Sequence, residues 1–375
     1  MTNPILRHRK KALLSAATAF SLWAGASAVS AAWATPEQEP VGEDGAATDV
    51  IVDDPTIETS AESIIGDASA FDGLPLNDAV NDLQPSAPVP ETGDAPRADA
   101  PGRATPAMWR IADADSEIWL LGTFHILPPG LDWRSDSLAR AIDAAETLYF
   151  EAEVDTPEAR SQTVNTLMTQ GFLPPGETLT GKLGGDYGEK LRAAAAEVGL
   201  PFDAIDTMRP WQAFLAMTVQ YIVAKGFDPG SGVETVLLQE ARLRGRDLRF
   251  FETVDQQLSL FTGLKPETEL ALLRFTLDEW PNQEAQLNAL LQAWRDGDIA
   301  AIDEMLNEGM RQQSPEVYDA LIVRRNQAWA AQINDVLNGS GKALVAVGAA
   351  HLVGDDSVPA LLRAQGVTVD RYGVE

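Results

Sequence analysis

The 375-residue chain contains no cysteine and only three histidines. The absence of cysteine excludes a disulfide framework, a thiolate nucleophile and a lipid-modified cysteine anchor. Positive charge is also scarce, because 28 lysines and arginines stand against 56 acidic residues and give a formal net charge of −28 at pH 7. Nucleic-acid binding requires a basic surface that meets the phosphates, so we expect no nucleic-acid partner.

Several catalytic motifs are missing as well. The chain has no Gly-x-Ser-x-Gly nucleophile turn and no His-Glu-x-x-His helix. It also lacks a Walker motif and the glycine pattern of dinucleotide-binding proteins. These absences argue against the enzyme classes that depend on those motifs.

One pattern occurs twice, an apolar strand that ends in Gly-x-x-His. The first copy runs from Ile118 to His125 and the second from Ala343 to His351. Continuous apolar runs of this length are typical of buried strands in a parallel sheet. Open α/β sheets bind ligands just beyond the carboxyl ends of their strands, so the two histidines are predicted to meet at one site. The alternative is a pair of structural histidines.

Residues 1–34 have the features of a secretory leader. A basic run from Arg7 to Lys11, which includes His8, precedes an uncharged stretch from Ala12 to Ala34. This order of charge and apolarity is typical of a signal peptide, so we expect export to the periplasm or another extracytoplasmic space. The uncharged stretch is also long enough to cross a bilayer if it is not cleaved, and it would then tether the protein to the membrane.

Residues 35–105 form a compositionally distinct segment rich in proline, alanine and acidic residues. We count sixteen acidic residues and two arginines, a net charge of −14. Such a composition cannot bury enough apolar surface to offset the entropy lost on ordering. The sequence therefore predicts a disordered acidic linker here.

Residues 106–375 are predicted to form one α/β domain with a mixed, largely parallel sheet. Two strand–helix–strand units, one at each end, flank a large helical insertion. The predicted strands outside the second Gly-x-x-His run are 108–112, 117–122, 147–154, 248–251 and 367–372. A long helix is predicted over 315–338, directly before the second Gly-x-x-His strand.

Carboxylates are the natural partners of the two histidines. Glu151 and Glu153 lie two positions apart on the strand predicted at 147–154 and should share one face. In a strand–helix–strand unit the carboxyl end of this strand would lie beside that of the first Gly-x-x-His strand. His125, His351 and Glu151 would then form a three-ligand set for a divalent metal with open coordination positions. Without a metal, the same groups could act as an acid–base pair for hydrolysis.

Further candidate residues are selected by position. Glu252 ends a short strand, and Glu234 lies in the first turn of a predicted helix, where an acidic residue also suits the helix dipole. Arg325 and Asn326 lie on the long helix at 315–338, where a surface location is the alternative.

With these residues identified, residues 108–372 resemble the TraB/GumN family, which is related to the animal Tiki proteases and more distantly to erythromycin esterase and ChaN-like proteins. The resemblance implies an α/β core with a helical insertion and a site built from both Gly-x-x-His histidines and the glutamate. For Tiki-like members it implies a peptidase that depends on a divalent metal of the manganese or cobalt type, and zinc would also suit the ligands. The motifs that carry the resemblance are Leu121 to His125, the acidic strand at Glu151, Gly232-Val233-Glu234 with Ala241, Phe251-Glu252-Thr253 with Gln257, Arg325-Asn326, and Val347 to Gly354.

The sequence thus favours an exported metal-dependent hydrolase that acts on a peptide or protein. Arg325 or Asn326 would stabilise the developing oxyanion, and Glu252 or Glu153 would accept the proton. Two alternatives stay open at this point. One is a binding protein that holds a peptide, a polysaccharide or haem without turnover, and the other is a metal-free, esterase-like hydrolase.

Overall fold

The computed structural model describes residues 103–373 of the chain. The predicted leader and nearly all of the predicted acidic linker lie outside the described residues, so both stay predictions. Among residues 103–373, no helix combines the length and the apolarity needed to cross a membrane.

A six-stranded sheet forms the centre of the described residues. Its order is β4-β3-β5-β2-β1-β6. Strands β2, β5, β3 and β4 are parallel neighbours, whereas β1 runs antiparallel to both β2 and β6. The prediction of an α/β fold with a mixed, largely parallel sheet is therefore confirmed. The strands are β1 (Met108–Ala112), β2 (Ser116–Thr123), β3 (Thr147–Ala152), β4 (Asp247–Glu252), β5 (Gly341–Gly348) and β6 (Val369–Tyr372).

The two Gly-x-x-His strands, β2 and β5, are direct parallel neighbours. In their register Gly122 pairs with Val347, and Thr123 pairs with Gly348. All residues of β2 after Glu117 and of β5 after Lys342 are buried. Burial on both faces explains why the two runs are continuously apolar rather than alternating. Both strands end at the same edge of the sheet, and a histidine follows each of them there.

The neighbour of β2 differs from the prediction. The acidic strand β3 was expected beside β2, but β5 lies between them and pairs with both. The helix-containing connection from β2 to β3 therefore skips one strand, and the connection from β5 to β6 skips two. A strand from the carboxyl end of the chain thus lies in the middle of the sheet, where its apolar side chains are buried on both faces.

Helices fill the connections between the strands, and most lie between β3 and β5 as the predicted insertion. They are α1 (Asp136–Ala144), α2 (Pro157–Gln170), α3 (Leu179–Leu183), α4 (Tyr187–Glu197), α5 (Phe202–Ile205), α6 (Pro210–Ala224), α7 (Val233–Leu243), α8 (Val254–Thr262), α9 (Pro266–Glu279), α10 (Gln283–Arg295), α11 (Ile299–Asp303), α12 (Gly309–Gln313), α13 (Pro315–Tyr318), α14 (Arg324–Leu337) and α15 (Val358–Ala364). Short 3₁₀ segments lie at Pro229–Ser231, Trp280–Asn282 and Ala349–Leu352.

Two of the helical stretches contain a π-helical turn. The helix predicted over 315–338 is divided into α13 and α14 by a π-helical segment at Asp319–Val323. A second π-helical segment, Glu304–Glu308, follows α11. Such turns insert an extra residue and rotate the side chains that follow, and they are frequent at functional sites. The apolar spacing of the sequence does not reveal them.

Local capping fixes the ends of the elements nearest the sheet edge. Thr156 accepts a hydrogen bond from the backbone N–H of Ala159 and caps α2, as the Thr-Pro-Glu pattern indicates. Thr253 and Gln256 form a reciprocal capping box at the start of α8.

Strand β3 ends at Ala152, two residues earlier than predicted. Consequently Glu153 lies outside the strand.

Candidate metal centre

Four parallel strands bring their carboxyl ends together at one edge of the sheet. His125 follows β2, Glu151 is the penultimate residue of β3, Glu252 ends β4, and His351 follows β5 in a 3₁₀ turn. The side chains of His125, Glu151 and His351 are 4%, 2% and 0% exposed, and that of Glu252 is 12% exposed. Both predicted histidines, Glu151 and Glu252 therefore lie together in one largely buried cluster.

The Glu151 carboxylate is the centre of this cluster. Its Oε1 atom accepts a hydrogen bond from the backbone N–H of Gly348 at 2.7 Å. Its Oε2 atom accepts from Nη2 of Arg325 at 2.9 Å and from Nε2 of Gln257 at 3.3 Å. The Oε1 atom also lies 4.0 Å from Nε2 of both His125 and His351. One carboxylate oxygen thus faces both histidines.

The protonation of Glu151 is balanced near neutrality. Burial disfavours the charged carboxylate and raises its pKa to about 7, although the Arg325 guanidinium acts in the opposite direction. The neighbouring Glu234 carboxylate adds to the increase. A nearby cation would shift this balance towards the ionised form.

His125 forms a close pair with Glu234. Its Nδ1 atom lies 3.1 Å from Oε2 of Glu234, and Oε1 of Glu234 accepts a hydrogen bond from the Thr123 hydroxyl at 2.8 Å. Burial of the ring lowers the pKa of His125, but Glu234 and Glu151 outweigh it, so the pKa is raised above its usual value. Glu234 is therefore both a neighbour of the histidine and part of the cluster.

A glycine permits the approach of α7, which carries Glu234. A Cβ atom added to Gly232 would lie 1.9 Å from the backbone oxygen of His125. The backbone N–H of Val233 donates to the backbone oxygen of Phe124 at 3.0 Å and holds the start of α7 against the end of the His125 loop. The Gly232-Val233-Glu234 sequence is thus required by packing, because any side chain at position 232 would push Glu234 away from His125.

His351 is held as a neutral imidazole with a defined tautomer. Nη1 of Arg325 lies 3.1 Å from Nε2 of His351, and because a guanidinium has only donors, this nitrogen is the acceptor. The proton therefore resides on Nδ1, which donates to Oδ1 of Asn326 at 2.5 Å. Burial and the charge of Arg325 hold the pKa of His351 well below its usual value. The Trp329 ring packs against the imidazole with centroids 4.3 Å apart.

Arg325 connects the two ends of the cluster through all five of its N–H groups. Nε and Nη2 donate to the two oxygens of Glu252 at 2.7 and 2.8 Å, a bidentate pair. Nη2 also donates to Glu151, while Nη1 donates to His351 and, at 3.3 Å, to the backbone oxygen of Leu321 in a π-helical segment. The predicted oxyanion-binding role of Arg325 would require the loss of one of these partners.

The other predicted supporting residues also have structural partners. Nδ2 of Asn326 donates to the backbone oxygen of Asp356 at 2.8 Å, so this side chain fixes His351 from one side and the following loop from the other. Glu252 accepts a further hydrogen bond from the Trp329 indole at 3.2 Å. Glu153 does not join the cluster, because its half-exposed carboxylate pairs with Arg242 at 3.1 Å.

Asn307 was not predicted from the sequence, although it stabilises the turn that carries His351. Asn307 is completely buried in the π-helical segment Glu304–Glu308. Its Nδ2 atom lies 3.0 Å from the backbone oxygen of Ala350 and 3.2 Å from that of Val353. An asparagine in a helical stretch is not an informative signal, and its partners are more than 40 residues away in the chain.

A metal ion fits the donor atoms of this cluster. His125, Glu151 and Glu234 each offer one ligand atom, and these atoms lie within 4.8 Å of one another. Imidazole nitrogen and carboxylate oxygen suit divalent manganese, cobalt or zinc. The group differs in one member from the predicted ligand set of His125, Glu151 and His351. His351 lies outside this group, because its Nε2 atom contacts Arg325. The role of His351 as a metal ligand therefore stays a prediction.

The close approach at Gly232 yields a test with an internal control. Replacing Gly232 with alanine should destabilise the protein by about 1–3 kcal/mol and weaken metal binding at least about tenfold, because the added methyl group displaces α7 and Glu234. The matched control is Gly230→Ala, whose Cβ atom would meet only the Asp228 side chain at 3.2 Å or more. Urea denaturation and metal titration of both variants measure the effects. Equal behaviour of the two variants would show that the contact does not position Glu234.

The raised pKa values predict a pH-dependent metal affinity. Glu151, with its pKa at about 7, and His125, with its pKa also raised, must lose protons before they can bind a cation. Protons therefore compete with the metal at low pH. The affinity should fall by at least about tenfold for each pH unit below about 7, and by up to about a hundredfold where both groups are protonated. Calorimetric titration at several pH values, in buffers of different ionisation enthalpy, measures both the affinity and the protons released. An affinity that is constant between about pH 5.5 and 8 would contradict the assignment.

Comparisons with known proteins agree with this arrangement of motifs. The model of the TraB/PrgY/gumN family matches residues 107–371. The chain is 26% identical over 261 residues to the uncharacterized protein YbaP of Escherichia coli strain K12, covering 69% of this chain and 92% of that protein. It is 22% identical over 267 residues to an uncharacterized protein of Treponema pallidum strain Nichols, covering 68% of this chain and 80% of that protein. No solved structure matches. The family match spans both Gly-x-x-His motifs, β3, α7, β4 and α14, and the chain therefore belongs to the TraB/PrgY/gumN family.

Proposed function

We propose that this protein is a metal-dependent hydrolase that cleaves peptide bonds. The observation that carries the proposal is the His125–Glu151–Glu234 group at the carboxyl edge of the parallel strands, in which His125 and Glu151 are buried and neutral His351 lies nearby. Removing charged groups from water costs free energy of folding, so a buried charged cluster is weak evidence for a purely stabilising role. In addition, perturbed pKa values concentrate at functional sites. Family membership supports the same reading.

The proposal assigns the metal to His125, Glu151 and Glu234. When bound, a divalent ion supplies Lewis acidity, which polarises a carbonyl and lowers the pKa of water. Glu151 would bind through Oε1, because Oε2 is held by Arg325 and Gln257. Thr123 orients Glu234 in the way that outer hydrogen bonds commonly orient metal ligands.

Arg325, Glu252 and Asn326 take positioning roles in this proposal. Arg325 holds Oε2 of Glu151, and Glu252 in turn holds the guanidinium with both of its oxygens. Asn326 fixes the tautomer of His351, so that Nε2 is the basic nitrogen facing Glu151. The roles predicted from the sequence, an oxyanion donor at Arg325 or Asn326 and a proton acceptor at Glu252, compete with these contacts.

A metal-free hydrolase is the second candidate, and one observation favours it. Burial brings the pKa of Glu151 to about 7, the range that suits a general base at neutral pH. Arg325 already supplies a positive charge at 2.9 Å from this carboxylate. In this candidate Glu151 itself accepts the proton, and no ligand set is required.

The cellular location forms part of the proposal. The basic and then uncharged pattern of residues 1–34 favours export, so the substrate would be an extracytoplasmic peptide or protein. Intact-mass measurement of the protein recovered from the periplasm tests this, because cleavage near Ala34 shortens the chain. Recovery of the full chain in the cytoplasm alone would refute export.

Activity should depend on the cluster and on a divalent ion. Purified full-length protein should release fragments from an unstructured protein such as casein, lose activity with a chelator, and regain it with manganese, cobalt or zinc. His125→Ala and Glu151→Gln should each lower turnover by at least about 100-fold, because each removes a metal ligand. The control is Glu153→Gln, two residues from Glu151 and half-exposed, which should retain activity.

The outcomes separate the candidate functions. Turnover that survives complete removal of metal and is lost in Glu151→Gln would favour the metal-free hydrolase. If a broad peptide library yields no product, even with metal supplied, the hydrolase proposal is wrong and a binding function takes its place.

A further inference from the structure

Arg325 is shared between the metal centre and an open cleft. The cleft has a volume of about 530 Å³ and lies between the region of Gln256 to Thr268 and the region of Glu316 to Gln332. Glu252 and Arg325 line its inner end, and the same Arg325 donates to Glu151 at 2.9 Å. The Arg325–Glu252 pair therefore separates this cleft from the buried carboxylate by a single side-chain layer.

The cleft reaches the neighbours of a largely enclosed centre, in which Glu234, at 14% exposure, is the most exposed of the proposed ligands. His125, Glu151 and His351 are at most 4% exposed, so a substrate cannot contact them from bulk solvent without passing their neighbours. Glu252, at 12% exposure, is the more accessible member of the pair at the inner end. A substrate seated in the cleft would meet this pair first.

The lining of the cleft is mixed, with an apolar patch between the Arg325–Glu252 pair and a charged rim. Leu260 and Leu264 are half-buried and face the cleft together with Ala328, above a floor that includes Phe251 and Trp329. At the rim, Lys265 pairs with Glu316 at 3.0 Å across the two walls. Partly exposed apolar surface of this kind binds apolar groups, while the charged rim is already neutralised by pairing.

The end of β4 also borders a second cleft. This cleft has a volume of about 450 Å³ and shares Phe251, Glu252 and Gln256 with the first. A ligand could therefore extend past Glu252 in both directions, as a polymer chain does and a compact small molecule does not. An apolar subsite beside such a path is typical of peptide recognition, where the backbone continues and one side chain fills a pocket.

We propose that the cleft lined by Leu260, Leu264 and Ala328 binds an apolar side chain of the peptide substrate on the outer side of the Arg325–Glu252 pair. This inference rests on the proposed function and adds the class of residue that the enzyme selects. The Arg325–Glu252 pair forms the wall between the bound side chain and the metal centre. Large aliphatic or aromatic side chains fill the cleft, and glycine or acidic side chains do not.

The test measures peptide binding by the full chain with metal removed, so that no metal-dependent turnover interferes. The probes are end-blocked hexapeptides that differ only at one central residue, which is Leu, Phe, Gly, Asp or Lys. The Leu and Phe peptides should bind at least about tenfold more tightly than the Gly and Asp peptides, as expected for burial of a large apolar group. Calorimetric titration gives the dissociation constants.

Two alanines on α14 provide a matched pair of variants. Ala328 and Ala331 are both exposed, but only Ala328 lines the cleft. Ala328→Trp should fill the cleft and weaken binding of the Leu peptide at least about tenfold, whereas Ala331→Trp should leave it within about twofold of the wild type. In addition, Leu264→Glu should shift the preference from the Leu peptide to the Lys peptide, a change that general destabilisation cannot produce.

The results separate this inference from the proposed function. Metal content is measured in parallel for the wild type and for Ala328→Trp. If metal binds but all peptides bind equally, or none binds at millimolar concentration, the cleft assignment is wrong while the metal centre stands. If Leu and Phe peptides bind selectively but no metal binds, the cleft assignment holds and the metal-dependent mechanism fails. Equal affinity of wild type and Ala328→Trp for the Leu peptide would overturn the cleft assignment directly.

Discussion

The buried carboxylate of Glu151 is the constraint on which the rest of the site depends. Placing an ionised carboxylate in the protein interior costs on the order of several kcal/mol unless other groups compensate. Here the compensation comes from distant parts of the chain: the Gly348 backbone, the Arg325 guanidinium and the Gln257 amide. Even so, burial raises the pKa of the carboxyl to about 7, so the compensation is partial. A divalent cation at Oε1 would complete it.

The fold assembles this compensation through its topology. Strand β5, from the end of the chain, lies between β2 and β3, so the Gly348 N–H and His351 reach Glu151 from the adjacent strand. The π-helical segment directly before α14 supplies the Leu321 oxygen that accepts a hydrogen bond from Arg325. The second π-helical segment supplies Asn307 to the turn that carries His351. Both irregular turns thus serve the cluster, and each is an interruption that helix propensity alone would not favour.

Much of the fold could be predicted from the sequence, because the signals are local and strong. The apolar runs before Gly122 and Gly348 identify buried parallel strands, and the Thr-Pro-Glu pattern identifies the start of α2. The position of a residue just past a strand was enough to place His125, Glu252 and His351 at one edge of the sheet. The central location of β5 could not be predicted, since strand order depends on pairing between segments about 200 residues apart.

The sequence predicted which residues belong to the site better than it predicted the contacts between them. In the sequence, the helix dipole is enough to explain an acidic residue at Glu234. The contact of Glu234 with His125 is evident only in the structure, where Gly232 lets the start of α7 lie against the His125 backbone. Glu153 was placed on the face of Glu151 by strand alternation, but β3 ends at Ala152 and the alternation ends with it. The direction of the Arg325 side chain depends on the π-helical turn that precedes α14, because this turn changes which way the following residues face. The sequence does not reveal that turn, so the partners of Arg325 could not be predicted.

Anomalous diffraction from crystals of the full chain grown with manganese tests the central claim most directly. We expect a single strong peak within about 2.0–2.3 Å of ligand atoms of His125, Glu151 and Glu234, the distance range of nitrogen and oxygen ligands. The same map would show whether His351 turns from Arg325 to the ion and completes the predicted set. If manganese, cobalt and zinc all leave this position without a peak, or bind only at surface carboxylates, the buried cluster is not a metal centre.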